Sequence, residues 1–288
     1  MAAYKIFTDS SSDLGEGRLL SWGIPQLSLT FRFTDSDVEY KNADMPIGEF
    51  YEEMRAGRVA KTAAVSVGSF SEAFETILKG GEDILYVGFS SGLSTTYQSA
   101  VIAARELMAK YPERKILTVD TLCASAGLGL LVALALDAQK SGEEIESVAA
   151  MLERVKLSVC HWFTVDDLVY LKRGGRISPT AAFVGNMLGI KPVLHVDDEG
   201  HLVNVTKVRG RRASIAALAD RYSALALTPN SGRAYISHAA CEEDARLLAD
   251  MIESRHGVKV EIITDVGPVI GAHSGPGTLA LFFLGKER

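Results

Sequence analysis

Along the first half of the chain, short apolar runs alternate with longer stretches whose apolar positions recur every three to four residues. The short runs predict strands at residues 4–8, 26–33, 84–89 and 115–119. The longer stretches predict helices, among them 47–56, 95–111, 124–140 and 143–154. Strands that alternate with helices indicate an α/β protein, and we expect a mostly parallel, Rossmann-like sheet in this half.

The pattern changes after about residue 157. In KPVLHVDDEGHLVNVTKV two β-type runs flank a polar Asp-Asp-Glu-Gly turn, which is typical of a hairpin and predicts antiparallel strands. Helices are predicted at 212–225 and 242–256, and strands at 233–238 and 259–264. We therefore predict two α/β domains, residues 1–156 and 157–288, with the final strand as a candidate to return to the first domain.

Composition and charge exclude several classes of protein. The 288 residues are 47% hydrophobic and 23% charged, as in ordinary soluble globular proteins, and the net charge of −6 gives no electrostatic reason to bind nucleic acid. The three cysteines form no CxxC pair and the six histidines show no ligand spacing, so we expect a reducing compartment and no metal. We also expect no signal peptide and no membrane span, and hence a cytoplasmic protein.

The stretch VGFSSGLSTTYQSA, residues 87–100, places many small hydroxyl side chains between a predicted strand and a predicted helix. Its GFSSG letters fit the G-x-S-x-G pattern of serine hydrolases, with Ser90 as nucleophile and Asp265 and His273 as its partners. In a nucleophile elbow the helix follows the serine at once, whereas here four residues intervene. A serine esterase or lipase is therefore the alternative hypothesis.

The other hypothesis makes the same stretch a cradle for an anion. A helix N-terminus offers unpaired N–H groups and a positive dipole end, and hydroxyls of Ser94, Thr95 or Thr96 add donors without adding charge. The carboxyl end of a strand in an open α/β sheet is also where ligands usually bind. Simple capping explains the stretch as well, with Ser94 as the N-cap or a first-turn residue of the helix and Gln98 as its capping-box partner.

Other polar positions have both a structural and a functional interpretation. Thr62 in KTAAVS is expected in a loop, where it can present a hydroxyl to the same sheet edge. The basic segments YLKRGGRIS (170–178) and KVRGRR (207–212) are either solvated surface or groups that meet an anion or an acidic partner. His273 lies among glycines and prolines in GPVIGAHSGPG, a setting that favours a rigid loop presenting its imidazole.

Four motifs, IFTDSSSDL, GFSSGLSTTYQSA, YLKRGGRIS and GPVIGAHSGPGTLALFF, follow one another over nearly the whole chain. Together and in this order they resemble the DegV family, fatty-acid-binding proteins that serve as lipid-carrying subunits of bacterial fatty acid kinase. The resemblance implies a two-domain DegV-like fold with an acyl chain buried inside it. It also implies that the acyl carboxylate lies at the domain interface.

The resemblance assigns roles to individual residues. Ser94, Thr62, Arg173 and His273 correspond to the positions around the fatty acid carboxylate, and Arg209 corresponds to an arginine that docks the kinase. Two departures bear on the lipid preference. TAAVS stands where the family has TSQPS, and Thr95 stands where the family often has glycine.

The function implied is that of a carrier without catalytic activity of its own. It holds a long-chain fatty acid for a separate kinase, which binds the ATP and converts the carboxylate to an acyl phosphate for phospholipid metabolism. The carrier needs no cofactor, and transient membrane contact would serve lipid exchange. A third interpretation is a sensor or regulator that binds the lipid and then an effector protein. It needs the same pocket as the carrier, so the sequence does not distinguish the two. The length, unsaturation and branching of the acyl chain do not follow from the sequence.

Overall fold

The structure is a computed structural model and describes residues 3–177 and 189–288. The strands in this part of the chain are β1 (Tyr4–Asp9), β2 (Gln26–Leu27), β3 (Thr30–Phe33), β4 (Tyr40–Lys41), β5 (Ala60–Ala63), β6 (Asp83–Gly88), β7 (Ile116–Asp120), β8 (Val159–Thr164), β9 (Ile190–Val196), β10 (Leu202–Arg209), β11 (Ala234–His238), β12 (Ile262–Asp265) and β13 (Leu279–Leu284). The helices are α1 (Glu16–Trp22), α2 (Ile47–Arg55), α3 (Val67–Lys79), α4 (Thr96–Lys110), α5 (Ala126–Lys140), α6 (Ile145–Val155), α7 (Val169–Arg173), α8 (Arg211–Leu225), α9 (Glu242–His256) and α10 (Pro268–Ser274).

The first half contains a parallel sheet in the order β2-β1-β6-β7. Strand β6, with the sequence DILYVG, is buried at every position, and helices α3, α4 and α5 pack against it. Burial on both faces explains why this strand is a continuous apolar run without alternation. The parallel sheet predicted from the sequence is thereby confirmed.

The second half folds around a six-stranded sheet in the order β10-β9-β8-β13-β11-β12. All neighbouring strands are antiparallel except β11 and β12, and the predicted hairpin is formed by β9 and β10. The final strand β13 lies between β8 and β11, so it does not join the parallel sheet. Side chains alternate across the sheet: Phe163, Ala280 and Phe282 face the first half, whereas Leu281 and Phe283 join the core with α8 and α9.

Helix α5 connects the two sheets. Its apolar residues, such as Leu128, Leu130 and Leu131, are fully buried, and it packs against strands of both sheets. A single hydrophobic core therefore includes strands of the parallel sheet, helix α5 and one face of the six-stranded sheet. The chain passes to the second sheet through a 3₁₀ turn at Lys156–Ser158. A division into independent domains at residue 156 stays a prediction.

A third, antiparallel sheet in the order β4-β3-β5 was missed by the sequence analysis. Residues 26–33 were predicted as one strand, but Leu29 donates its N–H to Ser10 Oγ (3.0 Å) and separates β2 from β3. The loop expected around Thr62 is strand β5, paired with β3. These strands have two to four residues, which is too short for alternation to be recognised.

The buried carboxyl of Asp13 links the loop before α1 to the starts of helices α5 and α10 by hydrogen bonds. Its Oδ2 accepts a hydrogen bond from Ser125 Oγ (2.6 Å) at the start of α5, and its Oδ1 accepts one from the N–H of Gly267 (3.0 Å), just before α10. Burial raises the pKa of Asp13 to about 7, and the negative charges of Asp265 and Asp9 act in the same direction. The two hydrogen bonds oppose this effect.

This pKa predicts a specific dependence of stability on pH. The folded-state pKa of Asp13 lies above that of an unfolded aspartate, so its contribution to the free energy of unfolding is full below about pH 4 and is lost as the pH rises to about 7. Asn does not titrate. The free energy of unfolding of the wild type minus that of Asp13→Asn should therefore fall by a few kcal/mol, at most roughly 4, over this interval and stay constant above it.

Urea denaturation at pH 5, 6, 7 and 8 measures that difference. Asp37→Asn, at an exposed carboxyl, is the matched control. A difference between wild type and Asp13→Asn that is flat or rises between pH 5 and pH 7 contradicts the prediction.

Candidate ligand-binding site

A cavity of about 460 Å³ lies where strand β5, the loop after β6, helix α10 and the inner face of the six-stranded sheet meet. Its walls are mostly apolar. The apolar side chains include Leu29, Phe89, Leu93, Phe163, Leu171, Val196, Leu202, Val266, Val269, Ile270, Ala280 and Phe282. Such a space suits a ligand with a long apolar part.

Thr62 and His273 meet at this cavity from distant parts of the sequence. The imidazole Nε2 lies 2.8 Å from Thr62 Oγ1 in a partly buried hydrogen bond. Burial, together with the positive charge of Arg176, lowers the pKa of His273 to about 4, so the ring is neutral at pH 7. A Cβ atom on Gly174 would lie 2.2 Å from the imidazole Nδ1, so only glycine allows the two segments to pack this closely.

Ser94 lines the cavity from the turn that precedes helix α4. Its N–H donates to the carbonyl of Ser90 (3.1 Å), and its Oγ accepts from the N–H of Thr96 (3.2 Å). Helix α4 begins at Thr96 with Thr95 as its N-cap residue, so the predicted capping box of Ser94 and Gln98 is wrong. The tight turn holds the hydroxyl at the cavity wall just before the helix N-terminus.

The arginine that lines the cavity is Arg176, whereas the resemblance pointed to Arg173. Arg173 is exposed, and its guanidinium carbon lies 5.7 Å from the ring centroid of Tyr170. Arg176 is half-buried, donates from Nε to the carbonyl of Leu93 (3.3 Å) and from Nη1 to the carbonyl of Gly174, and its burial lowers its pKa. The last residue of the YLKRGGRIS motif lies outside the described residues.

The catalytic triad of the esterase hypothesis is not assembled. Ser90 is fully buried and donates from Oγ to the carbonyl of Gly200 (3.1 Å). Asp265 lies 3.6 Å from His238, and His273 has Thr62 as its partner. The hydroxyl of Ser90 and the imidazole of His273 thus each have another hydrogen-bond partner, and Asp265 lies beside a different histidine. The hydrogen bond of Ser90 joins the loop after β6 to the β9–β10 turn.

Arg209 is placed apart from the cavity. It is the last residue of β10, at the edge of the six-stranded sheet, and its side chain is exposed. The structure therefore does not bring Arg209 together with Ser94, Thr62 and His273, and an exposed position is what a docking contact with another protein requires.

Within residues 3–177 and 189–288, no cluster of three or more His, Cys, Asp or Glu side chains has an arrangement that could hold a metal ion. No helix in the same residues is both long enough and apolar enough to cross a bilayer.

Sequence reasoning missed a second group of polar side chains that line the cavity, namely Ser125, His161, Ser237, Ser274 and Thr278. Ser125 and Ser237 share a hydrogen bond of 2.9 Å although 112 residues separate them. Ser125 has a positive φ of 52°, which no sequence pattern indicates. Only Ser274, which follows His273 directly, lies next to a position that the sequence analysis had selected.

Comparison with known proteins gives the family. The sequence model described as "Uncharacterised protein, DegV family" matches residues 3–286. The DegV domain-containing protein CPE0026 of Clostridium perfringens is 42% identical over 289 residues, which cover 100% of this chain and 99% of that protein.

Solved structures agree with this match. A fatty-acid-binding DegV family protein from Thermus thermophilus superposes with a TM-score of 0.88 at 30% identity, covering 99% of this chain and 100% of the other. DegV of Bacillus subtilis, described as a fatty acid binding protein, gives a TM-score of 0.83 at 26% identity over 99% of this chain and 100% of the other. The α/β fold and the resemblance inferred from the four motifs are confirmed, and the chain belongs to the DegV family.

Proposed function

We propose that this protein binds a long-chain fatty acid, with the acyl chain in the cavity and the carboxylate at Ser94, Thr62 and Arg176. The observation that carries the proposal is a largely apolar cavity of about 460 Å³ at which the hydroxyls of Ser94 and Thr62 and the guanidinium of Arg176 come together from separate parts of the chain. The similarity to the fatty-acid-binding proteins of Thermus thermophilus and Bacillus subtilis supports it.

The apolar walls supply most of the affinity in this proposal. Each buried methylene contributes about 0.8 kcal/mol, so a tail of about fourteen methylenes contributes roughly 11 kcal/mol before the costs of ordering and association. Aromatic side chains such as Phe163 and Phe282 and aliphatic ones such as Val269 offer contacts to such a tail.

The polar side chains allow the carboxylate to leave water. Burying a carboxylate costs free energy unless hydrogen bonds and an opposite charge compensate for it. Arg176 supplies the charge, and Ser94 and Thr62 supply hydroxyl donors. If the neutral His273 donates from Nε2 to Thr62 Oγ1, the threonine proton is free to bind the carboxylate.

The same proposal includes delivery of the fatty acid to a kinase. The carboxylate is the group that a separate ATP-dependent fatty acid kinase would convert to an acyl phosphate, with this protein supplying binding and no catalytic group. Ser90 and His273 have hydrogen-bond partners other than each other, and Asp265 lies beside His238, which supports a carrier over an esterase. Arg209 is proposed to dock the kinase, in the cytoplasm, with transient membrane contact for lipid exchange.

Native mass spectrometry tests lipid binding directly. The purified wild type should carry an adduct of fatty acid mass, and the delipidated protein should take up added octadecanoic acid. Ser94→Ala removes a hydrogen bond to a charged group and should weaken binding by about tenfold or more. Ser141→Ala, at an exposed turn after α5, is the control and should bind as the wild type does. A wild type that takes up no fatty acid contradicts the proposal.

A paired substitution distinguishes the two arginines. Arg176→Gln should weaken octadecanoic acid binding by about tenfold or more because the carboxylate loses its opposite charge, whereas Arg173→Gln should change it by less than about twofold. Isothermal titration of both delipidated variants measures this. Equal losses in the two variants, or a loss in Arg173→Gln alone, would show that the arginine has been assigned wrongly.

Kinase docking is tested by reconstitution with ATP, a fatty acid and the catalytic subunit of a fatty acid kinase. Arg209→Ala should lower kcat/KM for acyl phosphate formation by about tenfold while fatty acid binding stays unchanged, because a charged contact with the partner is lost. Arg246→Ala, an exposed arginine on α9, is the matched control. Acyl phosphate formed by this protein without the kinase, or an unchanged rate for Arg209→Ala, argues against this arrangement.

A further inference from the structure

The hydroxyl of Ser94 has two hydrogen-bond contacts in the described part of the chain, and both are with Thr96. Its Oγ accepts from the N–H of Thr96 (3.2 Å) and lies 2.9 Å from Thr96 Oγ1. By distance alone, either hydroxyl of this pair can be the donor. The direction matters for the proposed site, because Ser94 keeps its proton for a carboxylate only if it does not donate to Thr96.

The burial of Thr96 decides the direction. Thr96 is the first residue of α4 and is completely buried, with 0% of its surface exposed. Within residues 3–177 and 189–288, its hydroxyl has Ser94 Oγ as its hydrogen-bond partner and no other. If Ser94 were the donor, the proton of the Thr96 hydroxyl would have no acceptor in this part of the protein or in water. A buried donor without an acceptor costs free energy, so Thr96 is the donor.

Ser94 is then left with a proton that no group in the protein accepts. A serine oxygen has two lone pairs and one proton. In Ser94 the lone pairs accept from the N–H and the O–H of Thr96, so the proton points away from Thr96, and no acceptor for it lies among the described residues. Ser94 is only partly buried and lines the cavity, where an acceptor on a ligand can take this proton.

We infer that Thr96 is a positioning residue, which holds the hydroxyl of Ser94 as a hydrogen-bond donor to the fatty acid carboxylate. This inference rests on the proposed function and adds to it a residue that does not touch the ligand, since Thr96 is fully buried and does not line the cavity. A carboxylate oxygen can only accept, so it matches a serine that can only donate. His273 has the same relation to Thr62 when its Nε2 is the donor.

Isothermal titration of octadecanoic acid into the delipidated full-length protein tests this role. Thr96→Val keeps the branched shape of the side chain and removes the hydroxyl, so the Ser94 hydroxyl can turn and the affinity should fall about three- to tenfold. Thr96→Ser keeps a hydroxyl and should stay within about twofold of the wild type. Thr76→Val, at an exposed threonine on α3, is the matched control and should bind as the wild type does. An affinity of Thr96→Val within about twofold of the wild type, or an equal loss in Thr96→Ser, overturns the inference.

A double-mutant cycle separates positioning from a general disturbance of the start of α4. Thr96 acts through Ser94, so once Ser94→Ala has removed the serine hydroxyl, adding Thr96→Val should change the affinity by less than about twofold. A structural effect of the valine would instead weaken binding equally in both backgrounds. A loss in the Ser94→Ala background as large as that in the wild type therefore contradicts the positioning role.

Urea denaturation shows whether Thr96→Val is folded. If it is not, Thr96→Ala removes the same hydroxyl, suits a helix, and takes its place in both experiments with the same expected results. If octadecanoic acid binds to the wild type and the variant without the Thr96 hydroxyl binds it equally well, only this inference fails. If the wild type takes up no fatty acid, the proposed function fails as well.

Discussion

The hydrogen bond between Thr62 and His273 holds together the polar part of the cavity. It joins strand β5 of the small antiparallel sheet to helix α10 across 211 residues of sequence. Burial keeps the imidazole neutral, so this bond adds no charge, and the positive charge at the cavity comes from Arg176. Gly174 makes the arrangement possible, since any side chain there would collide with the imidazole. The contact therefore fixes Thr62 and His273, two of the polar side chains that line the cavity, relative to each other.

The cavity lies within the main hydrophobic core of the protein. The inner face of the six-stranded sheet and helix α5 share one hydrophobic core with the parallel sheet, and the cavity opens within that shared region. Polar groups in such surroundings need partners, and the structure supplies them for Asp13 through Ser125 and Gly267. The same two hydrogen bonds link the start of helix α5 and the start of helix α10 to the loop that carries Asp13.

Local sequence patterns predicted the strands and helices that are long enough to show a clear hydrophobic pattern or that are bounded by recognisable turn residues. The buried strand β6, the apolar helix α5 and the β9–β10 hairpin follow from periodicity, composition and turn residues. The small antiparallel sheet does not, because its strands are shorter than the window in which alternation becomes visible. Arg173 and Arg176 could not be distinguished either, since the two glycines between them redirect the chain and only the packed structure shows which side chain reaches the cavity. The Ser125–Ser237 contact depends wholly on tertiary pairing.

The most direct test of the account is a crystal structure of the delipidated protein soaked with a long-chain fatty acid. The account predicts electron density for the acyl chain along Phe163 and Phe282, with the carboxylate oxygens about 3 Å from Ser94 Oγ and Thr62 Oγ1. An acyl chain bound elsewhere on the protein, or a carboxylate at the end of the cavity away from Thr62, would contradict it.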